Sequence, residues 1–361
     1  MKITRPTLLI DETKVRKNIK MMAEKARKSN VVLRPHFKTH QSATIGQWFA
    51  EEGITCATVS SVDMARYFAD AGWKDLTIAF PYNPLEADMI QKLASEIHLN
   101  VLIVSKEALD HLNQHVDAPL GYFIKLDVGT HRTGVMPENL NEIHNIAHSK
   151  HPNHHLKGLL AHAGHTYKPL TKAEAGEIYR GSLAAFDNVS QAIGKDDLIY
   201  SYGDTPSCSL LDDFSEVQEL RPGNFAFYDV MQHHFGSCLL DDVAVCMACP
   251  VVSIHPERSE VVVYGGGVHL SKDFIQVGDR RVFGTVVSTD GTGWETTPLA
   301  TVDRLSQEHG IIRGSSAFIH SVRIGDLVGI LPVHSCMAAD LQGYYVSLAG
   351  HRIEKFNKAT L

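Results

Sequence analysis

Lys38 lies in the segment Arg34-Pro35-His36-Phe37-Lys38-Thr39-His40, flanked by a proline, an aromatic residue and two histidines. At the end of an apolar run this is a setting for a Schiff-base amine, whose neighbours and burial lower its pKa and supply the neutral nucleophile. An ordinary solvated loop lysine has the same local composition, and both readings stand. Arg132 lies in Lys125-Leu126-Asp127-Val128-Gly129-Thr130-His131-Arg132-Thr133-Gly134. An arginine there can offer its fork to an oxyanion or a phenolate, or simply close a loop on carbonyl oxygens. Two glycine-bearing segments, Ser201-Tyr202-Gly203-Asp204-Thr205-Pro206-Ser207 and Glu219-Leu220-Arg221-Pro222-Gly223-Asn224, have the makings of a phosphate cradle built from backbone N–H groups and a hydroxyl. No P-loop lysine motif accompanies them, so a nucleoside triphosphate is not implied. His334-Ser335-Cys336 places an imidazole and a thiol two residues apart. In an extended segment both point to one side and can reach one ion, a donor pair that suits zinc.

Two further motifs are read as structural. Cys246-Met247-Ala248-Cys249 has no second pair and lies in an apolar run, which favours core packing. Tyr264-Gly265-Gly266-Gly267-Val268-His269 follows a strand with no helix expected after it, and is read as a tight bend or a close backbone approach.

The elements that must position these residues alternate over the first two-thirds of the chain. Strand-like runs fall at 31–34, 54–59, 76–80, 97–104, 122–127, 156–161, 198–202 and 217–220. Helical spacing lies between most of them. Val15, Ile19, Met22, Ala23 and Ala26 form one apolar stripe with Asp11 or Thr13 as its cap; further helices over 64–71 and 173–193 stop at Gly72 and Gly194. Eight strands with intervening helices predict an α/β fold, a parallel (β/α)8 barrel, with a doubly wound sheet as the alternative. In either, ligand groups sit where strands end and loops begin. After about Phe235 the pattern turns to strands at 243–254, 260–264, 281–288, 299–305, 326–331 and 344–349. The expected organisation is a lead strand over 1–10 packing on the carboxyl-terminal part, a barrel over 11–234, and a mostly β domain over 235–361.

Composition bounds the rest. The 361 residues are 44% hydrophobic and 21% charged, ordinary globular values. A net charge of −7 gives no bulk attraction for nucleic acid or an anionic membrane. No apolar run approaches a membrane span, and the amino terminus has too short an apolar patch for a signal peptide. Six cysteines are too few for a disulfide framework, so a cytoplasmic, reducing setting is expected. Histidine is abundant at 21 residues, with close pairs at His36/His40, His162/His165 and His233/His234.

Taken together, the ordered motifs from PHFKTH to LPVHSC resemble the D-serine dehydratase and D-threonine aldolase group of fold-type III pyridoxal-phosphate enzymes, related to alanine racemase. The resemblance covers nearly the whole chain. It implies an alanine-racemase-type barrel holding pyridoxal 5'-phosphate, a β domain carrying a divalent metal, and a homodimer. Lys38 is then the lysine of the internal aldimine and the base for the α-proton, and Arg132 the arginine at the cofactor's phenolic oxygen. Thr205, Gly223 and Asn224 match phosphate-binding positions. Tyr167 resembles the tyrosine near the pyridine nitrogen, with Arg221 as rival partner, and Tyr228 is a further cofactor contact. His334 and Cys336 match the metal pair, with zinc first and manganese or magnesium as alternatives. His165 or His162 is a proton-transfer group or a structural one. The His-x-Cys pair is more like the dehydratases, the aldolases tending to His-x-Asp. The implied activity is β-elimination from a D-3-hydroxy amino acid of the D-serine type. Retro-aldol cleavage of D-threonine or D-3-hydroxyaspartate, racemisation, and non-catalytic cofactor carriage are the alternatives in that order.

Overall fold

The computed structural model describes residues 2–357. The chain forms two compact units, one from 21–38 and 49–223, the other from the described part of 1–20, 39–48 and Asn224 onward. The first strand, β1 (Thr7–Ile10), belongs to the second unit.

The first unit is a closed parallel barrel. Its strands are β2 (Val32–Leu33), β3 (Ala57–Val59), β4 (Asp75–Pro81), β5 (His98–Ile103), β6 (Leu120–Leu126), β7 (His154–Ala161), β8 (Ile199–Tyr202) and β9 (Glu219–Leu220). From β3 to β9 each pairs in parallel with the next, and β9 pairs back to β2. A bridge between His36 and Thr58 completes the ring, with Phe37 N donating to Thr58 O at 2.8 Å and Thr58 N to Pro35 O at 2.9 Å. All eight strands expected from the sequence are present. β6 is buried along its whole length, as a strand covered on both faces must be.

The intervening helices start at chemically specified caps. Ser61, Ser105 and Asn139 each accept a backbone N–H, and Thr171 with Glu174 forms a capping box on Lys172–Ile193, which ends at the left-handed Gly194. The helix Glu12–Lys28 buries the expected stripe, and Asp11 Oδ1 accepts from Lys14 N at 3.1 Å, so Asp11 rather than Thr13 is the cap.

The second unit is built on a six-stranded antiparallel barrel. Its strands are β10 (Val245–His255) and β11 (Glu260–Tyr264), then β14 (Gly284–Val287), β15 (Ala300–Leu305), β16 (His309–Gly314) and β17 (Leu327–Pro332), with the hairpin β12 (Ile275–Val277) and β13 (Arg280–Val282) between. Around the ring the order is β10, β11, β16, β15, β14, β17 and back to β10. β1 extends it from β10, followed by β18 (Tyr344–Ser347) and β19 (Arg352–Glu354). Cys246 and Cys249 lie buried in β10, as the core reading expects. The glycine run is a close backbone approach, since a Cβ on Gly266 would stand 2.4 Å from Gln307 O. A short helix, Gly267–Leu270, does follow it, contrary to expectation: His269 sits within one turn of Gly266, whose N–H donates to His269 Nδ1 at 3.3 Å.

Candidate active site

The barrel residues singled out from the sequence stand at the carboxyl ends of parallel strands, where such barrels place ligands. Lys38 follows β2, held by Phe37, whose fully buried ring packs on Phe49, Phe68 and Trp73 at centroid distances of 5.1, 4.9 and 4.8 Å. Lys38 itself is exposed, so the expected burial of this amine is not found. The densely surrounded groups are its neighbours. Burial holds the His36 imidazole well below its usual pKa, and the charges of Lys38, Arg221 and Arg132 push the same way. His162, after β7, is lowered to about 3 by burial, again with Lys38, Arg221 and Arg132 adding to the effect. Its Nδ1 lies 2.8 Å from Gly203 O; a carbonyl only accepts, so that nitrogen carries the proton and Nε2 is the bare one. Three cations therefore act on two neutral imidazoles.

Arg132 is carried by a tightly folded loop. Asp127 Oδ1 accepts from Gly129 N and His131 N at 3.0 Å each, and Val135 N returns to Lys125 O at 2.8 Å. These N–H groups hold the Asp127 carboxyl below its ordinary pKa although burial alone would raise it. Gly134, at φ 122°, is required here: a Cβ would stand 2.8 Å from Asp127 N. Thr130 Oγ1 donates to His162 O at 2.7 Å and accepts from Gly164 N at 2.9 Å, tying this loop to the one after β7.

On that second loop, His165 is half-buried with its pKa lowered by burial, and its Nδ1 is buried without a hydrogen-bond partner. Tyr167 has its ring 6.0 Å from that of His162, and its hydroxyl accepts from Thr205 N at 3.5 Å. Thr205 is fully buried and opens the helix Thr205–Leu210, which Asp204 caps through Ser207 N at 2.7 Å. Gly203 lets β8 and β9 approach, since a Cβ there would stand 2.6 Å from Arg221 N. Gly223 is half-buried beyond Pro222, whose carbonyl accepts from His36 N at 2.9 Å.

The second unit holds a separate cluster. His334 precedes the helix Ser335–Asp340, and Cys336 lies within that helix. The extended spacing expected for the pair is thus replaced by the first turn of a helix, yet the two side chains still interact. Burial alone would lower the His334 pKa; hydrogen bonds to Asp273 and Cys336 instead raise it to about 11. His334 Nδ1 is 2.7 Å from Asp273 Oδ2, which turns Nε2 to the other side. Cys336 Sγ is 3.3 Å from Oγ1 of Thr39, the residue after Lys38 in the chain, and 3.4 Å from Asn224 Nδ2. Asn224 Nδ2 also donates to Asp229 Oδ2 at 2.7 Å and Ser335 Oγ at 3.1 Å, so its side chain serves this cluster. Tyr228 is fully buried with φ 48°, its N–H on Asn224 O at 2.7 Å. Among the described residues no group of three or more His, Cys, Asp or Glu side chains is arranged to hold a metal ion.

Sequence reasoning left Asp273, Asp229, Ser201 and Glu219 unassigned. Asp273 carries no local signal, because it meets His334 across 61 residues of chain.

Residues 10–229 match the family described as the alanine racemase N-terminal domain, and residues 244–348 the putative serine dehydratase domain. The chain belongs to the first family, whose match spans more than half of it, and that family implies pyridoxal phosphate as cofactor. Over its whole length the chain is similar to a D-serine dehydratase of Dictyostelium discoideum, 29% identical with 94% of this chain and 92% of the relative covered. A D-threonine aldolase of Arthrobacter sp is 22% identical, with 92% and 86% covered. The solved structure of D-threo-3-hydroxyaspartate dehydratase from Delftia sp. HT23 superposes with a TM-score of 0.89 at 23% identity, covering 99% of this chain and 98% of that one.

Proposed function

We propose that this chain is a pyridoxal-phosphate- and metal-dependent lyase that dehydrates a D-3-hydroxy amino acid of the D-serine type, releasing ammonia and a keto acid. One observation carries the reading: Lys38, Arg132 and Arg221 all act on the neutral His36 and His162 at the strand ends of one barrel. Positive charge gathered around uncharged imidazoles suits an anionic occupant, and a phosphorylated pyridine with a phenolic oxygen fits that need. The proposed division of labour is a cofactor-binding barrel over 11–234 and a metal-binding β domain over 235–361, with the lead strand over 1–10 packing on the latter.

When bound, pyridoxal phosphate supplies an electron sink for the charge that develops at the substrate's α-carbon. Lys38 would hold it covalently and would serve as the base for the substrate's α-proton. Arg132 would donate to the phenolic oxygen, and Thr205, Gly223 and Asn224 would receive the phosphate. The Asn224 side chain is committed to Asp229, Ser335 and Cys336, so its share would be main-chain. Tyr167 and Tyr228 would contact the cofactor, and His165 would move a proton to or from the departing hydroxyl. His334 and Cys336 fit a divalent metal, zinc first, as an imidazole and thiol pair with Asp273 behind the imidazole; the metal would supply Lewis-acid polarisation of the hydroxyl. Two protein donors leave positions for water or substrate.

The six cysteines are free thiols, as a cytoplasmic enzyme would have them, and no helix among the described residues is long and apolar enough to cross a membrane. We propose a homodimer as the working form. Product analysis with D-serine, D-threonine and D-3-hydroxyaspartate, before and after chelation, tests the function. Ammonia with a keto acid, lost on chelation, is expected. Glycine with an aldehyde would establish the aldolase reading, which the similarity to a D-threonine aldolase favours next. Racemisation that survives chelation would defeat the metal-lyase reading, and cofactor binding without turnover would make the chain a carrier.

A further inference from the structure

The barrel's outer helices carry histidines that no step of the proposed reaction uses. His111 and His115 stand four residues apart on the helix Lys106–His115, and so share one face of it. Their rings are stacked, with centroids 3.9 Å apart and planes inclined by 13°. The next helix, Leu140–Ala147, repeats the arrangement with His144 and the capping His148, at 4.0 Å and 22°. The second imidazole of each pair is fixed in the same way: His115 Nδ1 lies 2.8 Å from His111 O, and His148 Nδ1 lies 3.1 Å from His144 O. A carbonyl only accepts, so each of these Nδ1 atoms carries the proton and each Nε2 keeps a bare lone pair. His115 and His148 are both exposed, open to an ion from solvent. The first pair also has a buried group behind it. His111 Nδ1 is 3.0 Å from the hydroxyl of Tyr82. Burial raises the Tyr82 pKa to about 12, so the phenol stays neutral and its oxygen can accept from Nδ1. An outer hydrogen bond of this kind fixes the tautomer of a metal-binding histidine and turns its Nε2 toward the ion.

We propose that His111 and His115 form a metal site on the outside of the barrel, apart from the His334–Cys336 pair, with Tyr82 as the positioning residue behind His111. Two imidazoles one helical turn apart are the spacing at which a helix offers two ligands to one ion. Paired imidazoles select divalent copper, nickel and zinc over magnesium and calcium, which prefer oxygen. The carboxyl end of the helix, where His115 lies, favours positive charge as well. No third His, Cys, Asp or Glu joins the pair among the described residues, so water completes the shell. The bound ion ties the last turn of the helix and leaves the strand-end residues of the reaction untouched. The site stands whether or not the barrel binds pyridoxal phosphate.

The test is equilibrium dialysis of the full, untagged chain against Ni2+, with bound nickel read by elemental analysis. The starting protein is Cys336→Ala, which takes the pair in the other unit out of the count, and His115→Ala, His148→Ala or Tyr82→Phe is added to it. Adding His115→Ala should remove one equivalent of nickel and abolish a nickel-dependent rise in the unfolding temperature. Its side chain is exposed, so the fold should survive the change. Adding His148→Ala should leave that equivalent and that rise in place. Tyr82→Phe should weaken the site by about 10- to 100-fold, the usual cost of an outer-shell partner. That effect should vanish once His111→Gln is also present, which a merely structural role of the phenol would not produce. Equal nickel content with and without His115→Ala overturns the proposal, as does a starting protein that binds no nickel. Nickel lost only with His148→Ala would put the ion on the neighbouring helix and overturn the assignment to His111 and His115. Unchanged affinity in Tyr82→Phe overturns the positioning role.

Discussion

Cys336 and His334 differ in what fixes them, and this sets separate expectations. The thiol is placed by the turn that opens the helix Ser335–Asp340, whose far end is tied down by Lys355 Nζ on Ala339 O and Asp340 O at 2.9 and 3.1 Å. The imidazole is oriented by one carboxylate, Asp273, at 2.7 Å. Cys336→Ala should lower bound metal, read by elemental analysis, while cofactor absorbance persists; full metal occupancy would remove the assignment. Asp273→Asn should weaken metal binding by about 10- to 100-fold, the usual cost of losing an outer-shell partner, measured by chelator competition. Lys38→Ala should abolish the visible cofactor band with the far-UV spectrum unchanged, since the exposed amine contributes no core packing. A band that survives would mean another amine holds the cofactor.

Among the elements, the loops after β2, β6, β7, β8 and β9 carry the barrel's site residues, and Gly134 and Gly203 are where close backbone approach shapes them. Gly203→Ala would place a Cβ 2.6 Å from Arg221 N, against main chain that cannot swing aside. A loss of about 1–3 kcal/mol is expected from this overpacking, together with weaker cofactor binding, because Arg221 must move. Urea midpoints and cofactor titration check both halves. These loops were legible beforehand because turn residues and period mark where a strand stops: all eight barrel strands, and the Gly194 stop, read directly from the chain. The strand His309–Gly314 was not legible because its sequence, HGIIRG, sets two isoleucines side by side between glycines, and Ile275–Val277 was not because it is only three residues long. Nor was the state of the residues around His334. His-x-Cys fits an extended segment and a helical first turn equally, and only the chain downstream decides. Asp273, which orients His334, is brought in by folding from 61 residues away, and a carboxylate has no local mark of that service.

At the scale of the whole molecule, each compact unit buries a histidine whose neutral form the fold favours. His40 is fully buried in the second unit, where burial lowers its pKa to about 3. His154, in β7 of the barrel, is lowered to about 4, also by burial, and its Nδ1 lies 2.7 Å from Asn113 Oδ1. An unfolded histidine titrates near 6.5, so between that value and these folded ones the unfolded chain binds more protons, and stability falls as the solution is acidified. From pH 7 to pH 5 each histidine should cost ~2 kcal/mol, with the loss continuing to about pH 4 for His154 and about pH 3 for His40. Asp204 and Asp229 act in the opposite sense, because burial raises their carboxyl pKa values and lets the folded state hold protons there. The comparison that isolates histidine is therefore the wild type against His154→Gln, with unfolding midpoints at pH 7, 6 and 5. The variant should start below the wild type at pH 7, having lost a packed ring, and its deficit should shrink by ~2 kcal/mol at pH 5. Parallel curves for the two proteins would show that His154 is protonated in the fold and that its burial has no bearing on acid stability.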